Sequence, residues 1–293
     1  MKISNRLNLP DPIVEAIRAN WYGGAGEHRL ASVTELIKPT KQFILARRHR
    51  DEIEQDASDM IWMLMGSAIH KVLESANIDN AIQEERLSID FKGSRITGGF
   101  DLYHEGVVSD FKFTSVWSYI YGNRISEWTA QLNLYAYLLG RYGFKVEGIE
   151  VLAIFRDWSR HKAQSDPNYP KPVERVRLEL WDQEHCEAFL EERIAGIKAC
   201  DELPDDLVTE CSPAERWESP DQFAVMKPGA NRALRVFDDI DEARRFVRAH
   251  KEADNLRVVT RSEPPKRCFE FCPVNRFCHF YRAMSTSEEN MAA

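Results

Sequence analysis

Arg95-Ile-Thr-Gly98-Gly99-Phe100-Asp101-Leu102-Tyr103 and Val107-Val-Ser-Asp110-Phe111-Lys112-Phe113 are the two runs whose reading decides the architecture. Both read as strands, as does the alternating run Arg86 to Phe91, and Lys92-Gly93-Ser94 between them is a turn. Together they predict a compact antiparallel meander. Side chains alternate faces along a strand, so Asp110 and Lys112 point one way and Phe111 the other, into the core. Pairing of the meander brings Asp101 close to Asp110. Two carboxylates plus the Phe111 backbone carbonyl form an all-oxygen site suited to Mg²⁺ or Mn²⁺. A lysine beside such a site can orient or help deprotonate an attacking water and offset charge building on a phosphate. Gly98 and Gly99 stand where a backbone would approach a ligand closely.

Working outward, Asp11-Pro12 marks a helix start. Pro39 to Arg50 reads as a basic helix that could line a DNA entrance. Asp56 to Ala76 reads as a longer helix, with Ile61, Met65, Ile69 and Val72 at spacings of three and four. After the meander come helices over Val116–Tyr121 and Ser126–Tyr142, the second with Trp128, Leu132, Tyr135, Ala136 and Leu139 on one side. Strands Gly148–Phe155 and Val173–Leu180 and a helix Asp182–Cys200 follow. This order predicts an α/β (α+β) fold, a mixed central sheet flanked by helices. Beyond Asp201 the pattern loosens: strands at Phe223–Met226, Arg235–Phe237 and near Val258, a helix at Asp239–His250, then a cysteine cluster. The expected organisation is an N-terminal helical segment (1–55), a core (56–200), a C-terminal lobe with the cysteines (201–284) and a tail (285–293).

The 293 residues are 43% hydrophobic and 29% charged, a globular composition. No apolar run approaches the roughly 18 residues of a membrane span, and no apolar segment of a secretory signal follows Met1-Lys-Ile-Ser-Asn-Arg. A cytoplasmic protein without a membrane partner is the expectation. The net charge of −8 argues against passive coating of nucleic acid but leaves room for local basic grooves. Candidate basic stretches are Lys41 with Arg47 to Arg50, Lys227 with Arg232 and Arg235, and Lys266, Arg267, Arg276 and Arg282.

Asp-x-Lys alone is ordinary on a solvated strand, but here it has company. Gly66-x-x-x-His70 lies on the preceding helix. Gln131-x-x-x-Tyr135 lies on the following one, its two members on one helical face. Gly-x-x-x-His, Gly-x-x-Asp, Asp-x-Lys and Gln-x-x-x-Tyr, in this order over Gly66 to Tyr135, resemble the RecB-like branch of the PD-(D/E)XK nuclease superfamily, which implies a restriction-endonuclease-like fold. The resemblance implies a Mg²⁺- or Mn²⁺-dependent deoxyribonuclease, with His70, Asp101, Asp110 and the Phe111 carbonyl on the metal. Lys112 would serve the water, and Gln131 and Tyr135 would support the site or touch DNA. It further implies an exonuclease on single strands or DNA ends, in recombination, repair or phage DNA processing. A helicase or recombination protein would be a separate partner, since the sequence has no phosphate-binding Gly-x-x-x-x-Gly-Lys-Ser/Thr. Leu102, following the first aspartate, is compatible with the family but not diagnostic. Glu74 and Glu85 are nearby carboxylates, either further ligands or surface. Taken singly, His70 reads as a satisfied helix histidine and Tyr135 as core. A catalytically idle DNA-binding adaptor is the alternative function.

Six cysteines in a chain of this length do not make a disulfide scaffold. Cys268-Phe-Glu-Phe-Cys272-Pro-Val-Asn-Arg-Phe-Cys278 has gaps of three and five residues, the second longer than the roughly two to four of structural zinc sites. Three thiolates need a fourth, and Cys211 is the best candidate. Cys186 and Cys200 lie on the Asp182–Cys200 helix, where buried free cysteines are common. A distant first cysteine joined to a C-terminal trio resembles the iron–sulfur nucleases of the same superfamily, and Cys211 through Phe223-Ala-Val-Met-Lys227 to Cys278 resembles phage-encoded members. The resemblance implies a 4Fe-4S cluster on Cys211, Cys268, Cys272 and Cys278 that staples the C-terminal lobe to the nuclease core. A zinc-stapled structural protein is the competing reading.

Overall fold

The computed structural model describes residues 2–20, 29–76 and 78–292, and the side chains of 287–292 are outside the description. The chain divides into two compact units, Met1–Leu203 and Pro204–Ala293.

The first unit runs β1 (Lys2–Ser4), α1 (Asp11–Ala19), β2 (Ala31–Ser32), α2 (Val33–Leu36), α3 (Thr40–Arg48), β3 (Glu54–Asp56), α4 (Ile61–Glu74), β4 (Ile82–Phe91), β5 (Ser94–His104), β6 (Val107–Thr114), α5 (Val116–Ile120), α6 (Ile125–Arg141), β7 (Gly148–Phe155), α7 (Arg160–Ser165), β8 (Val173–Leu178) and α8 (Gln183–Cys200). Strands β2, β5, β6, β7 and β8 lie in that order, with β4 along the other edge of β5. The sheet is mixed: β6–β7 and β2–β5 are parallel, the other pairs antiparallel. This is the mixed sheet with flanking helices that the order of elements predicts.

The meander's registers create the opening on which the site is built. On one edge, β5 pairs with β6 only as far as Leu102↔Ser109. The same edge pairs with β2 at Ile96 and Thr97. Between the two partners lies Gly98-Gly99-Phe100-Asp101, without a strand neighbour on that side.

Helix α6, expected to be apolar on one side, is buried nearly all round from Trp128 to Leu139, Gln131 and Asn133 included. It packs so close to β5 that a Cβ on Gly98 would stand 2.7 Å from Leu138 Cδ1 and 3.1 Å from Tyr135. Gly98 is therefore required by helix–strand packing, not by a ligand. Gly99 has only the Glu85 carbonyl near, at 3.9 Å. Helix α4 departs from its expected apolar stripe. Ile61 and Leu64 pack on Val14, Ile17, Ala57 and Met60, whereas Met65 and Val72 are exposed.

The basic residues of helix α3 are engaged within the first unit. Lys41 is buried. Arg47 pairs with Asp201, and Arg48 donates to the carbonyls of Cys200 and Asp201. The two guanidiniums thus close the C-terminus of α8, where carbonyls lack helical partners.

The second unit holds α9 (Pro213–Arg216), β9 (Gln222–Met226), β10 (Arg235–Phe237), α10 (Ile240–Ala249), β11 (Arg257–Arg261) and α11 (His279–Ala292). β9 is the centre of a three-stranded antiparallel sheet, covered by α10 through the buried Ala243. Helix α11 runs on through the segment expected as a tail, and Ala293 lies outside the described residues. Among the described residues, no helix is long and apolar enough to cross a membrane.

Candidate metal centre and cysteine cluster

Where β6 parts from β5, the Phe111 N–H loses its ladder partner. Asp101 takes it, accepting on Oδ2 at 2.7 Å. The other oxygen, Oδ1, faces His70 Nδ1 at 3.4 Å. His70 reaches down from α4 and donates through Nε2 to the Phe111 carbonyl at 2.9 Å. One residue of β6 thus has both backbone groups satisfied by candidate site side chains. The hydrogen bond to Asp101, reinforced by Asp110 and Glu84, holds the His70 pKa up at about 9 against the opposing effect of burial. His70 is an imidazolium at neutral pH, a cation surrounded by carboxylates.

Glu84 is the residue that sequence reasoning missed. Its Oε1 lies 3.7 Å from His70 Nδ1. His70, Glu84 and Asp101 can each offer a ligand atom, all within 4.8 Å of one another. β4 begins at Ile82, not at Arg86, and Glu84 stands opposite Asp101 between the pairs Gln83↔Leu102 and Glu85↔Phe100. It has a left-handed φ of +50°, a costly conformation for a residue with a Cβ. Burial and the Asp101 charge raise its pKa. The carboxylates flagged from sequence fall elsewhere: Glu85 is exposed and outside this group, and Glu74 lines the adjoining cavity. That cavity, about 430 Å³, is also walled by Gly66, His70, Glu84, Arg86 and Gly99.

A second group is built on β6 and α6, within electrostatic reach of the first. Asp110 is buried, and its Oδ2 lies 2.6 Å from Lys112 Nζ. Lys112 is the partner of that oxygen, which is otherwise out of solvent, and a carboxylate oxygen with one partner keeps acceptor capacity. The Gln131 amide bridges the pair, accepting from Lys112 Nζ at 3.1 Å and donating to Asp110 Oδ1 at 3.4 Å and Tyr135 Oη at 2.9 Å. Burial raises the Asp110 pKa, and Lys112 pulls it back. Burial also lifts the Tyr135 pKa, which keeps its hydroxyl neutral. His70, Asp101, Asp110, Lys112, Gln131 and Tyr135 therefore meet around β6, in two groups. His70, Asp101 and the Phe111 carbonyl join Glu84, and Asp110, Lys112, Gln131 and Tyr135 form the other. Asp101 and Asp110 are coupled by charge repulsion.

Cys211, Cys268, Cys272 and Cys278 are all half-buried and free, and all belong to the second unit. Burial pushes the Cys211 thiol up to about 12 and Cys272 to about 11; Cys211 also feels the charges of Cys268, Cys272 and Cys278, and Cys272 those of Cys268 and Cys278. The four thiols therefore lie within electrostatic reach of one another. The Val274 N–H bonds to Cys272 and favours its thiolate. Around them Arg216 donates to the Cys211 carbonyl, Asn275 to the Cys268 carbonyl and Arg267 to the Glu215 carbonyl. Cys186 and Cys200 are buried on α8, and Cys186 donates weakly to the Asn133 carbonyl.

No family model matches this chain, and no curated protein matches it. Among solved structures, it is similar to SSO0001 at 16% identity and a TM-score of 0.42, over 62% of this chain and 83% of that one. A candidate exonuclease from Eubacterium rectale is similar at 13% identity and a TM-score of 0.28, over 69% of this chain and 72% of that one. Both are remote likenesses.

Proposed function

We propose that the first unit is a Mg²⁺- or Mn²⁺-dependent deoxyribonuclease of the RecB-like PD-(D/E)XK type, acting as an exonuclease on single-stranded DNA or DNA ends. The observation that carries the reading is the convergence on β6 of a His–Glu–Asp ligand group and a Lys112–Asp110–Gln131 network, at the point where β5 and β6 separate.

His70, Glu84 and Asp101 would hold the divalent ion, with Asp110 Oδ2, the buried oxygen with spare acceptor capacity, completing it alongside the Phe111 carbonyl. The ion supplies Lewis acidity and a lowered pKa for bound water. Metal binding requires a neutral imidazole, so His70 would hold the ion through Nδ1, which faces Glu84 and Asp101, and keep its Nε2–H on the Phe111 carbonyl. Lys112, held in place by Asp110 and Gln131, aligns the attacking water and offsets charge growing on the phosphate. Tyr135 fixes the Gln131 amide. The pathway would be recombination, repair or phage DNA processing, with any helicase a separate chain.

In the second unit, Cys211, Cys268, Cys272 and Cys278 would hold a 4Fe-4S cluster. The fit rests on four thiols within electrostatic reach of one another, an amide donor to one sulfur, and the nearby Arg216 and Arg267 guanidiniums that favour thiolates. Among the described residues, the sulfurs do not gather as tightly as the His70–Glu84–Asp101 group. A single zinc ion, with Zn–S bonds of about 2.3 Å, would draw them closer. The cluster would be structural.

Anaerobically purified protein is incubated with end-labelled single-stranded DNA in Mg²⁺, Mn²⁺ or EDTA, beside Lys112→Ala. Cleavage that needs the metal and is lost by at least about a hundred-fold in the variant is expected. Equal rates on circular and linear single strands would remove the exonuclease assignment. No cleavage in either metal would leave an idle DNA-binding adaptor.

A further inference from the structure

Beyond the ligand groups, the carboxyl-terminal ends of the parallel strands β6 and β7 carry a cluster that the chemistry above does not use. Three aromatic side chains stand in solvent there. Trp62 is 51% exposed, Trp117 43% and Tyr121 71%. The rings of Trp117 and Tyr121 are stacked at 5.9 Å between centroids. Trp62 leans on Phe113, the neighbour of Lys112, at 6.4 Å. Such rings are apolar surface that water solvates poorly, and exposing three of them close together calls for a reason.

Cations are interleaved with them. The Arg156 guanidinium lies 4.6 Å from the Trp62 ring centroid, and Lys162 Nζ lies 4.7 Å from that of Trp117. Arg160 and His161 adjoin Lys162 on α7, and all four cationic or ionisable side chains are exposed. Among the described residues, Arg156, Arg160 and Lys162 make no ion pair. The one acid in this stretch, Asp157, is engaged by the Ser115 hydroxyl and the Val116 N–H. In a chain of net charge −8, this is a local excess of unneutralised positive charge. The same Asp157 contacts, with the Arg156 N–H on the Thr114 carbonyl, fix the β7–α7 loop against the start of α5.

Stacked, exposed aromatic faces flanked by unpaired cations match an unpaired polynucleotide strand, whose bases offer π-faces and whose phosphates offer charge. A duplex buries those faces. Trp62 and His70 lie on α4 about 12 Å apart along the helix axis, so the platform stands next to the ligand group. We propose that Trp62, Trp117 and Tyr121, with Arg156 and Lys162, bind the bases and phosphates of single-stranded DNA entering the site. The proposal rests on the nuclease reading for the identity of the strand, and on the platform itself for its unpaired state.

The test is binding in EDTA, where no cleavage intervenes. A labelled oligo-dT is titrated by fluorescence anisotropy and by quenching of tryptophan emission. The wild-type chain, Trp117→Ala/Tyr121→Ala and Arg156→Gln/Lys162→Gln are compared, along with a duplex and an oligo-rU of the same length. The double aromatic variant should bind dT at least about ten-fold more weakly, and the charge variant should lose part of the salt dependence, both with unchanged melting. Unchanged dT affinity in the aromatic variant, equal affinity for duplex, or tighter binding of rU would each overturn the proposal. Cleavage assays separate the two readings. Aromatic-dependent dT binding without any metal-dependent cleavage keeps the platform and removes the nuclease. Cleavage with an unaltered KM in the aromatic variant keeps the nuclease and removes the platform.

Discussion

Asp101 joins the Phe111 N–H to the His70 imidazole, one carboxylate oxygen on each. The side chain that replaces a missing ladder bond is also the one that charges the histidine. His70 is held up near 9 first by this hydrogen bond. Because the folded pKa lies above the ordinary value of about 6.5, the pairing stabilises the protein fully below about pH 6.5. That contribution disappears as pH rises through about 9.

Asp101→Asn should bring the His70 titration down by more than about one unit in metal-free protein, since the amide can still accept the Phe111 N–H but carries no charge. The Cε1 proton of His70, followed by NMR in EDTA, reads this directly. A midpoint still near 9 would mean that Glu84 and Asp110 suffice.

Gly98→Ala should cost about 1–3 kcal/mol, because its Cβ would crowd the buried Leu138, Val33 and Tyr135 side chains together. Gly99→Ala, with open space on its side, should cost far less. Pairing Gly98→Ala with Leu138→Val should cost less than the sum of the single changes. Urea melts of the four variants check this, and strict additivity would rule out the contact as the cause.

Cys211→Ser should remove the visible absorbance of anaerobically purified protein and open residues 204–293 to protease, while residues 2–203 melt as before. Zinc at one per chain, with no visible absorbance in the wild type, would replace the cluster with a zinc site.

Asp56 gathers the Arg6 N–H, the Ser58 N–H and the hydroxyls of Ser4 and Ser58. These donors, the Arg6 N–H foremost, hold its carboxyl well below the usual range. A depressed folded pKa contributes stability that is present above the unfolded value of about 3.9 and is lost as pH falls below it. Melting temperature should therefore drop between about pH 4 and pH 2 in the wild type. Asp56→Asn should melt lower at neutral pH and show a flatter acid limb. Parallel acid limbs for the two proteins would refute this role.

Much of the first unit was legible because its signals are local. Alternation placed β5, β6 and β7 to within a residue, the Lys92–Gly93 turn joined β4 to β5, and Trp128 to Leu139 marked one apolar side of a helix that is in fact buried nearly all round. Glu84 was not legible. Its position depends on a left-handed backbone inside a strand, which no pattern of residue types encodes. The α4 stripe was misread because Met65 and Val72 are apolar yet face water, while Ile61 and Leu64 do the packing. The basic run of α3 looked like a ligand surface because its partners, Cys200 and Asp201, lie far along the chain. Trp62, Trp117, Arg156 and Lys162 are scattered in sequence, and only folding assembles them.

That long reach between α3 and α8 also dictates an order of events during synthesis. Arg47 meets Asp201 across 154 positions. A chain emerging from the ribosome N-terminus first has made α3 long before the end of α8 exists. Until Asp201 clears the exit tunnel, the α8 carbonyls that Arg48 will cap have not formed. The first unit therefore completes its packing only once the linkage to the second has been synthesised. A translational pause placed after the codon for Leu203 would give it time to close before the cysteine-bearing unit emerges.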